Sequence, residues 1–163
     1  MPKHYLIYPL LLVALIVGSS ALAEGIEPRK GWQIINTDKS FPALVDSLVA
    51  SVKAQKMGLV TQASASAGAK AQGYTIPGNR VVGVYRNDYA RRMLEASIAA
   101  GIEAPIRFYV TENSDGTATL SWKTPSFVFE PYMNEGGEAL QQLAQELDTV
   151  FQAIADGAVT GTN

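Results

Sequence analysis

Cysteine is absent from the chain, and its one histidine is His4. The first absence excludes disulfides, thiol nucleophiles and thiolate metal sites. The second removes the Ser-His-Asp triad, the common zinc sites and a histidine haem ligand from everything beyond residue 4. Basic residues are not in excess either: 13 Lys and Arg stand against 15 Asp and Glu, a net charge of −2. Charge alone therefore gives no drive toward nucleic acid or an anionic membrane. Carboxylate, lysine, tyrosine, hydroxyl and methionine chemistry remains, and no cofactor or metal is expected.

What is there begins with an apolar start. Lys3 and His4 precede a run from Leu6 to Val17, and Ala21-Leu22-Ala23 offers small residues where a signal peptidase reads. This is the three-part build of a secretory signal peptide, with cleavage expected after Ala23. The alternative, a retained anchor, would need about 20 apolar residues to span a bilayer, and this run is short. The expected destination is the periplasm or the outside of the cell. Cleavage leaves no stable membrane anchor. Loss of Lys3 leaves 12 basic residues against 15 acidic ones. Residues 24–163 suit one domain, able to bury roughly two thirds of its unfolded surface.

The rest of the chain reads as alternating strands and helices. Residues 24–30 form a polar lead-in. Gly31 to Thr37 is strand-like, with Trp32, Ile34 and Asn36 on one face. Ser40 is placed to cap a helix that carries Pro42 in its first turn and buries Phe41, Leu44, Val45, Leu48 and Val52. Gly58 is its expected stop. Leu59 to Ala63 is a short strand. Ser64 to Gln72 is built of small residues, as a short helix or a mobile loop, and serves as a connector and candidate lid. Arg80 to Tyr85 is apolar on both faces, which predicts a central strand. Gly83 inside it predicts a bulge or a close approach. Asn87 is placed to cap a helix whose inner stripe is Ala90, Met93, Leu94, Ser97 and Ile98, with Gly101 at its end.

Ile106 to Glu112 and Thr117 to Lys123 alternate cleanly, as half-buried strands do. Parity requires an odd loop between them, and Ser114-Asp115-Gly116 supplies three residues with glycine at the left-handed position. Val110 then faces Leu120 and Phe108 faces Trp122 toward the core. On the other face Tyr109 opposes Ser121, and Arg107 opposes Lys123. Ser126 to Met133 reads as an irregular cover over a sheet edge. A last helix from Glu135 to about Ala155 carries one stripe of Leu140, Leu143, Ala144, Leu147, Val150, Phe151 and Ile154. Gly157 is its expected end, with a tail to residue 163. The order β-α-β-β-α-β-β-α predicts a single α+β domain over residues 31–156, a mostly antiparallel sheet with packed helices.

The Gly-x-x-x-Pro turn from Gly73 to Pro77, the strand RVVGVYRN, the helix with Arg92-Met93-Leu94-Glu95-Ala96 and the segment IEAPIRFYV follow in a telling order. With the acidic turn Glu112 to Gly116, the strand TLSWKTPSF and the closing helix, they resemble the domain-of-unknown-function 302 family. The resemblance covers about Gln33 to Ala155. It implies a compact fold like that of the TATA-binding protein, and it implies no reaction. Members often carry Gly-Asn-Pro after the central strand and Asn-Asp-Pro after the last one. This chain has Tyr85-Arg86-Asn87-Asp88 and Trp122-Lys123-Thr124-Pro125 there.

Two groups of residues are candidates for a ligand site. Arg107 and Lys123, two like charges facing across a hairpin, are unfavourable without a counter-charge. With Tyr109 and Ser121 they form a candidate anion site, unless Glu103 or Glu130 neutralises them or both side chains splay into water. Trp122, Phe127, Phe129 and Tyr132 form a candidate aromatic groove for an apolar ligand, or a dimer interface. The leading reading is an exported, non-enzymatic domain that binds a small apolar or anionic ligand, or a partner protein, a second copy included. An enzyme with a carboxylate–lysine or carboxylate–tyrosine pair, such as Lys123 with Glu130 or Asp88, is the alternative. A haem-associated role through Met93 follows, against the ordinary reading of Met93 as core.

Overall fold

The structure is a computed structural model that describes residues 25–161. The expected signal peptide, and its cleavage site, lie outside the described residues. Among those residues no helix is long and apolar enough to cross a membrane.

The elements are β1 (Trp32–Ser40), α1 (Phe41–Ala54), β2 (Gly58–Ala63), α2 (Ala65–Ala71), β3 (Asn79–Tyr85), α3 (Asn87–Ala96), β4 (Ile106–Glu112), β5 (Thr117–Lys123), α4 (Pro125–Phe129) and α5 (Met133–Thr160). Short 3-10 turns at Ala99–Glu103 and Glu130–Tyr132 precede β4 and α5. The predicted order holds, with two short helices added. The strands form one antiparallel sheet in the order β1-β5-β4-β3-β2. The α+β class is as expected, and the plan is compatible with a TATA-binding-protein-like fold.

The sheet has one covered face. Leu44, Leu48 and Val52 of α1 and Leu140, Leu143, Phe151 and Ile154 of α5 are buried against Val82, Phe108, Val110, Leu120 and Trp122. Phe108 stacks on Phe151 with ring centres 4.8 Å apart and lies 5.4 Å from the Trp122 ring. Aromatic pairs at such spacings add about 0.5–1.5 kcal/mol each beyond the area they bury. Met93 is also buried in this core, as a packing residue.

The hairpin register is the predicted one: Phe108 pairs with Trp122, Tyr109 with Ser121 and Val110 with Leu120. Gly116 holds φ +85 in the turn, and the Asp115 carboxylate accepts from the Thr117 amide at 2.9 Å. Of the two features expected at Gly83, the close approach is there: a Cβ on it would lie 2.1 Å from Thr61 Oγ1. The bulge lies in the neighbouring strand, where the β2–β3 register shifts between Leu59 and Thr61.

Several expectations are corrected. β3 is interior, between β4 and β2, but its second apolar face lies on the uncovered side of the sheet. Trp32, Ile34 and Asn36 do share a face, but it is the uncovered one, and Ile35 and Thr37 turn to the core. The first helix ends at Ala54, capped by Gln55 and turned off by Lys56 at φ +56, not at Gly58. α3 stops at Ala96, because Ser97 turns extended and closes the chain with a bond from Ser97 Oγ to Glu135. Ile98 is thereby left 83% exposed, and Leu94 45% exposed, outside the core stripe. Arg86, not Asn87, is the capping residue of α3. Ser126 to Met133 is not irregular: Thr124 caps α4 by accepting the Phe127 amide, and Asp148 accepts the Ser126 amide. Gly157 does not end α5. The helix runs on to Thr160, and Gly157 sits where α1 crosses, with Ser51 Oγ donating to the Ile154 carbonyl at 2.7 Å. Within α5 the backbone departs from helical values at Gly137.

Candidate functional site

The uncovered face of the sheet can be read row by row from the strand pairing. One row runs Trp32, Lys123, Arg107, Gly83, Thr61. Arg107 falls opposite Lys123 because the Phe108–Trp122 pair lies one residue further on. The next row runs Ile34, Ser121, Tyr109, Val81, Ala63, and the third Asn36, Thr119, Thr111, Asn79.

A concavity of about 530 Å³ lies over these rows. Trp32, Lys123 and Arg107 line one end. Tyr109, Val81 and Ala63 line the middle, and Asn79 and Ala65, at the start of α2, line the other end. Glu103, ahead of β4, and Val128, of α4, close the charged end. The size is within the range of small-molecule sites.

Neither cation there is held in an ion pair. Glu130 holds Lys30 at 3.1 Å. Glu103 lines the same end as a carboxylate, and it accepts the Tyr132 hydroxyl at 2.8 Å. Among the described residues no carboxylate forms an ion pair with Arg107 or Lys123. The Lys123 ammonium instead lies 5.8 Å from the centre of the Trp32 ring, and the Arg29 guanidinium lies 5.3 Å from the same ring. A cation over an indole face is worth about 0.5–1 kcal/mol at an exposed site, far less than a full counter-charge would offset in a dry one. Ser121 does not line the concavity; it is fully buried beside Tyr109, and its hydroxyl donates to the Tyr109 carbonyl at 3.4 Å.

Thus Arg107, Tyr109, Ser121 and Lys123 do come together. The aromatic quartet does not. Trp122 and Phe129 are 3% and 1% exposed and belong to the core. Phe127 packs over Gly31, where a Cβ would lie 2.0 Å from the ring, and Tyr132 is tied to Glu103. The four do not form one groove: two are core, and Phe127 and Tyr132 are half-buried. The structural reason is α4: its single turn rolls Phe129 inward and Phe127 onto β1.

The carboxylate–lysine pairs also separate. Asp88 is bound by Arg86 at 2.7 Å, which holds its carboxyl below the usual value. Glu130 belongs to Lys30. The Tyr132–Glu103 hydrogen bond raises the phenol above its ordinary pKa, with burial acting the same way. A tyrosine base needs the opposite shift.

Sequence reasoning missed Trp32, Val81, Ala63, Ala65 and Asn79. Only the order of strands brings Trp32 beside Lys123. Val81 did leave a signal, since the apolar second face of β3 is the pocket wall.

The family model of the domain of unknown function DUF302 matches residues 33–154. No curated protein matches the chain. Among solved structures, the fold is similar to that of an uncharacterised conserved DUF302 protein from Bacillus stearothermophilus. The TM-score is 0.69 at 18% identity, over 80% of this chain and 99% of that one. That likeness concerns the fold alone. With three quarters of its length under the family model, the chain belongs to the DUF302 family.

Proposed function

We propose that this protein is an exported, non-enzymatic binding domain whose uncovered sheet face takes a small anionic ligand with an apolar body. The observation that carries the reading is the pair Arg107 and Lys123, opposed across β4 and β5 and held in no ion pair, at one end of an otherwise largely apolar trough. Two like charges held side by side cost stability. An anion placed between them removes that cost and gains charge-assisted hydrogen bonds from a fork and a point donor. Tyr109 and Val81 then cover the ligand's body. Export is supported by the apolar start and the small residues before Glu24.

The test compares two fluorescent probes that share a scaffold and differ in charge. One is 8-anilinonaphthalene-1-sulfonate, the other N-phenyl-1-naphthylamine. A charge-assisted hydrogen bond contributes about 1.5–3 kcal/mol, so the sulfonate should bind roughly tenfold or more tightly. Its advantage should shrink as NaCl rises from low to high concentration. Equal affinities, or an advantage indifferent to salt, would sink the reading.

A further inference from the structure

The trough carries its charge at one end only. Arg107 and Lys123 stand at the β4–β5 side of the first row, and Ala63 and Ala65 stand at the β2 side of the far rows. We infer that the ligand is a single-chain aliphatic anion, with its head between Arg107 and Lys123 and its chain lying across β4 and β3 toward Ala63 and Ala65. This rests on the anion-binding reading of the same pocket and goes further by fixing the ligand's shape and direction.

Three observations support a chain over a ring. Beyond Tyr109 the lining is Val81, Ala63, Ala65 and Asn79, with no further aromatic face on which a ring could stack. The indole at the head end, Trp32, already has cations of Arg29 and Lys123 near its ring. Small side chains on adjacent strands leave a shallow channel that a flexible chain follows and a rigid fused ring bridges. The length is set by the sheet. From midway between β5 and β4 to β2, two and a half strand spacings and one two-residue step give a diagonal of about 14 Å, the length of an extended chain of about twelve carbons. The head is a carboxylate or a phosphate monoester, since both present oxygens to a guanidinium fork and an ammonium.

The experiment displaces bound 8-anilinonaphthalene-1-sulfonate with carboxylates of six to fourteen carbons, each below its micelle concentration. Dodecyl phosphate, dodecanol and dodecylamine serve as further competitors. Each added methylene should tighten binding about two- to fourfold, the upper figure holding for full burial. The gain should level off near twelve carbons. Dodecanoate or dodecyl phosphate, whichever is tighter, identifies the head, and dodecanol and dodecylamine should both be weaker. Ala63→Glu, at an exposed edge position, should weaken dodecanoate about tenfold and leave hexanoate unchanged. The wild-type series decides by itself if that variant fails to fold. A flat chain-length series overturns the proposal, and so does equal weakening of short and long chains, or dodecylamine binding as tightly as dodecanoate. If the sulfonate probe keeps its charge preference while the series is flat, the anion site stands and only the aliphatic chain is refuted. If that preference is missing, both fall.

Discussion

Replacing Arg107 with glutamate should make the protein more stable and less able to bind an anion. The register places residue 107 opposite Lys123, with both side chains exposed. Cross-strand charge pairs contribute about 0.2–1 kcal/mol, and exposure argues for the lower half of that range. Arg107→Gln removes the repulsion and should gain about 0.5 kcal/mol, less whatever the lost Arg stem contributed. Arg107→Glu adds an attraction and should gain about 0.5 kcal/mol more than the glutamine variant. The comparison of Glu with Gln cancels the stem, since both side chains have the same shape. For a domain of this size that difference is about 2 °C in Tm. It should fade in 1 M NaCl, where the Debye length is about 3 Å. Binding of 8-anilinonaphthalene-1-sulfonate moves the other way, with a loss of roughly tenfold or more in Arg107→Glu. Circular-dichroism melts at two salt concentrations and one fluorescence titration read both effects. The reasoning is refuted if Arg107→Glu melts below Arg107→Gln at low salt, or if it binds the probe as the wild type does.

Other consequences concern the scaffold. Gly83→Ala places a Cβ within 2.1 Å of Thr61 Oγ1 and 2.8 Å of Pro105 Cγ, which should cost about 1–3 kcal/mol in urea unfolding. Thr61→Gly in the same background should recover part of it, where additive losses would contradict the contact. Gly157→Ala should destabilise, although alanine normally favours a helix interior by about 0.5–1 kcal/mol, because its Cβ would meet Ser51 Oγ at 2.4 Å. Adding Ser51→Ala should return most of the loss, and a Gly157→Ala protein that melts higher by itself would refute the crossing geometry. The Arg92 fork holds Glu146 at 2.7 and 2.8 Å and lowers its carboxyl below the ordinary value of 4.5. That contribution is present above pH 4.5 and is lost as pH falls through the lowered folded value. Glu146→Gln should therefore cost about 0.5 kcal/mol at neutral pH, in keeping with a half-exposed pair, and nothing in strong acid.

What could be read from the sequence was what short-range geometry determines. The β4–β5 hairpin is fixed by a three-residue turn and by alternation, so its register followed from parity alone. The stripes of α1 and α5 followed from their periodicity. What could not be read depended on where a distant element packs. Nothing near Gly157 says that α1 crosses there, so a glycine in a close contact looked like a helix stop. Nothing near Ile98 says that Ser97 bonds to Glu135, so the α3 stripe looked two residues longer than the helix. The aromatic run after β5 looked like a surface because its hydrophobic spacing fits no long helix; a single capped turn was enough to send Phe129 inward.

The candidate site was half legible for the same reason. Its charged pair belongs to the hairpin, and its apolar wall belongs to β3 and β2, whose placement beside β4 is a matter of sheet order. In the sequence the two halves are unrelated oddities: opposed cations, and a strand apolar on both sides. Each breaks a local rule of half-buried sheets, where like charges avoid facing and one side is polar. Local rules are broken at functional sites more often than elsewhere. Here the two violations lie on the same uncovered face, in adjacent rows of neighbouring strands, and line one concavity. An uncovered face that served only solvation would gain from a polar residue at Val81 and a carboxylate at Arg107. Keeping a valine and an arginine there makes sense when something apolar at one end and negative at the other comes to lie on them.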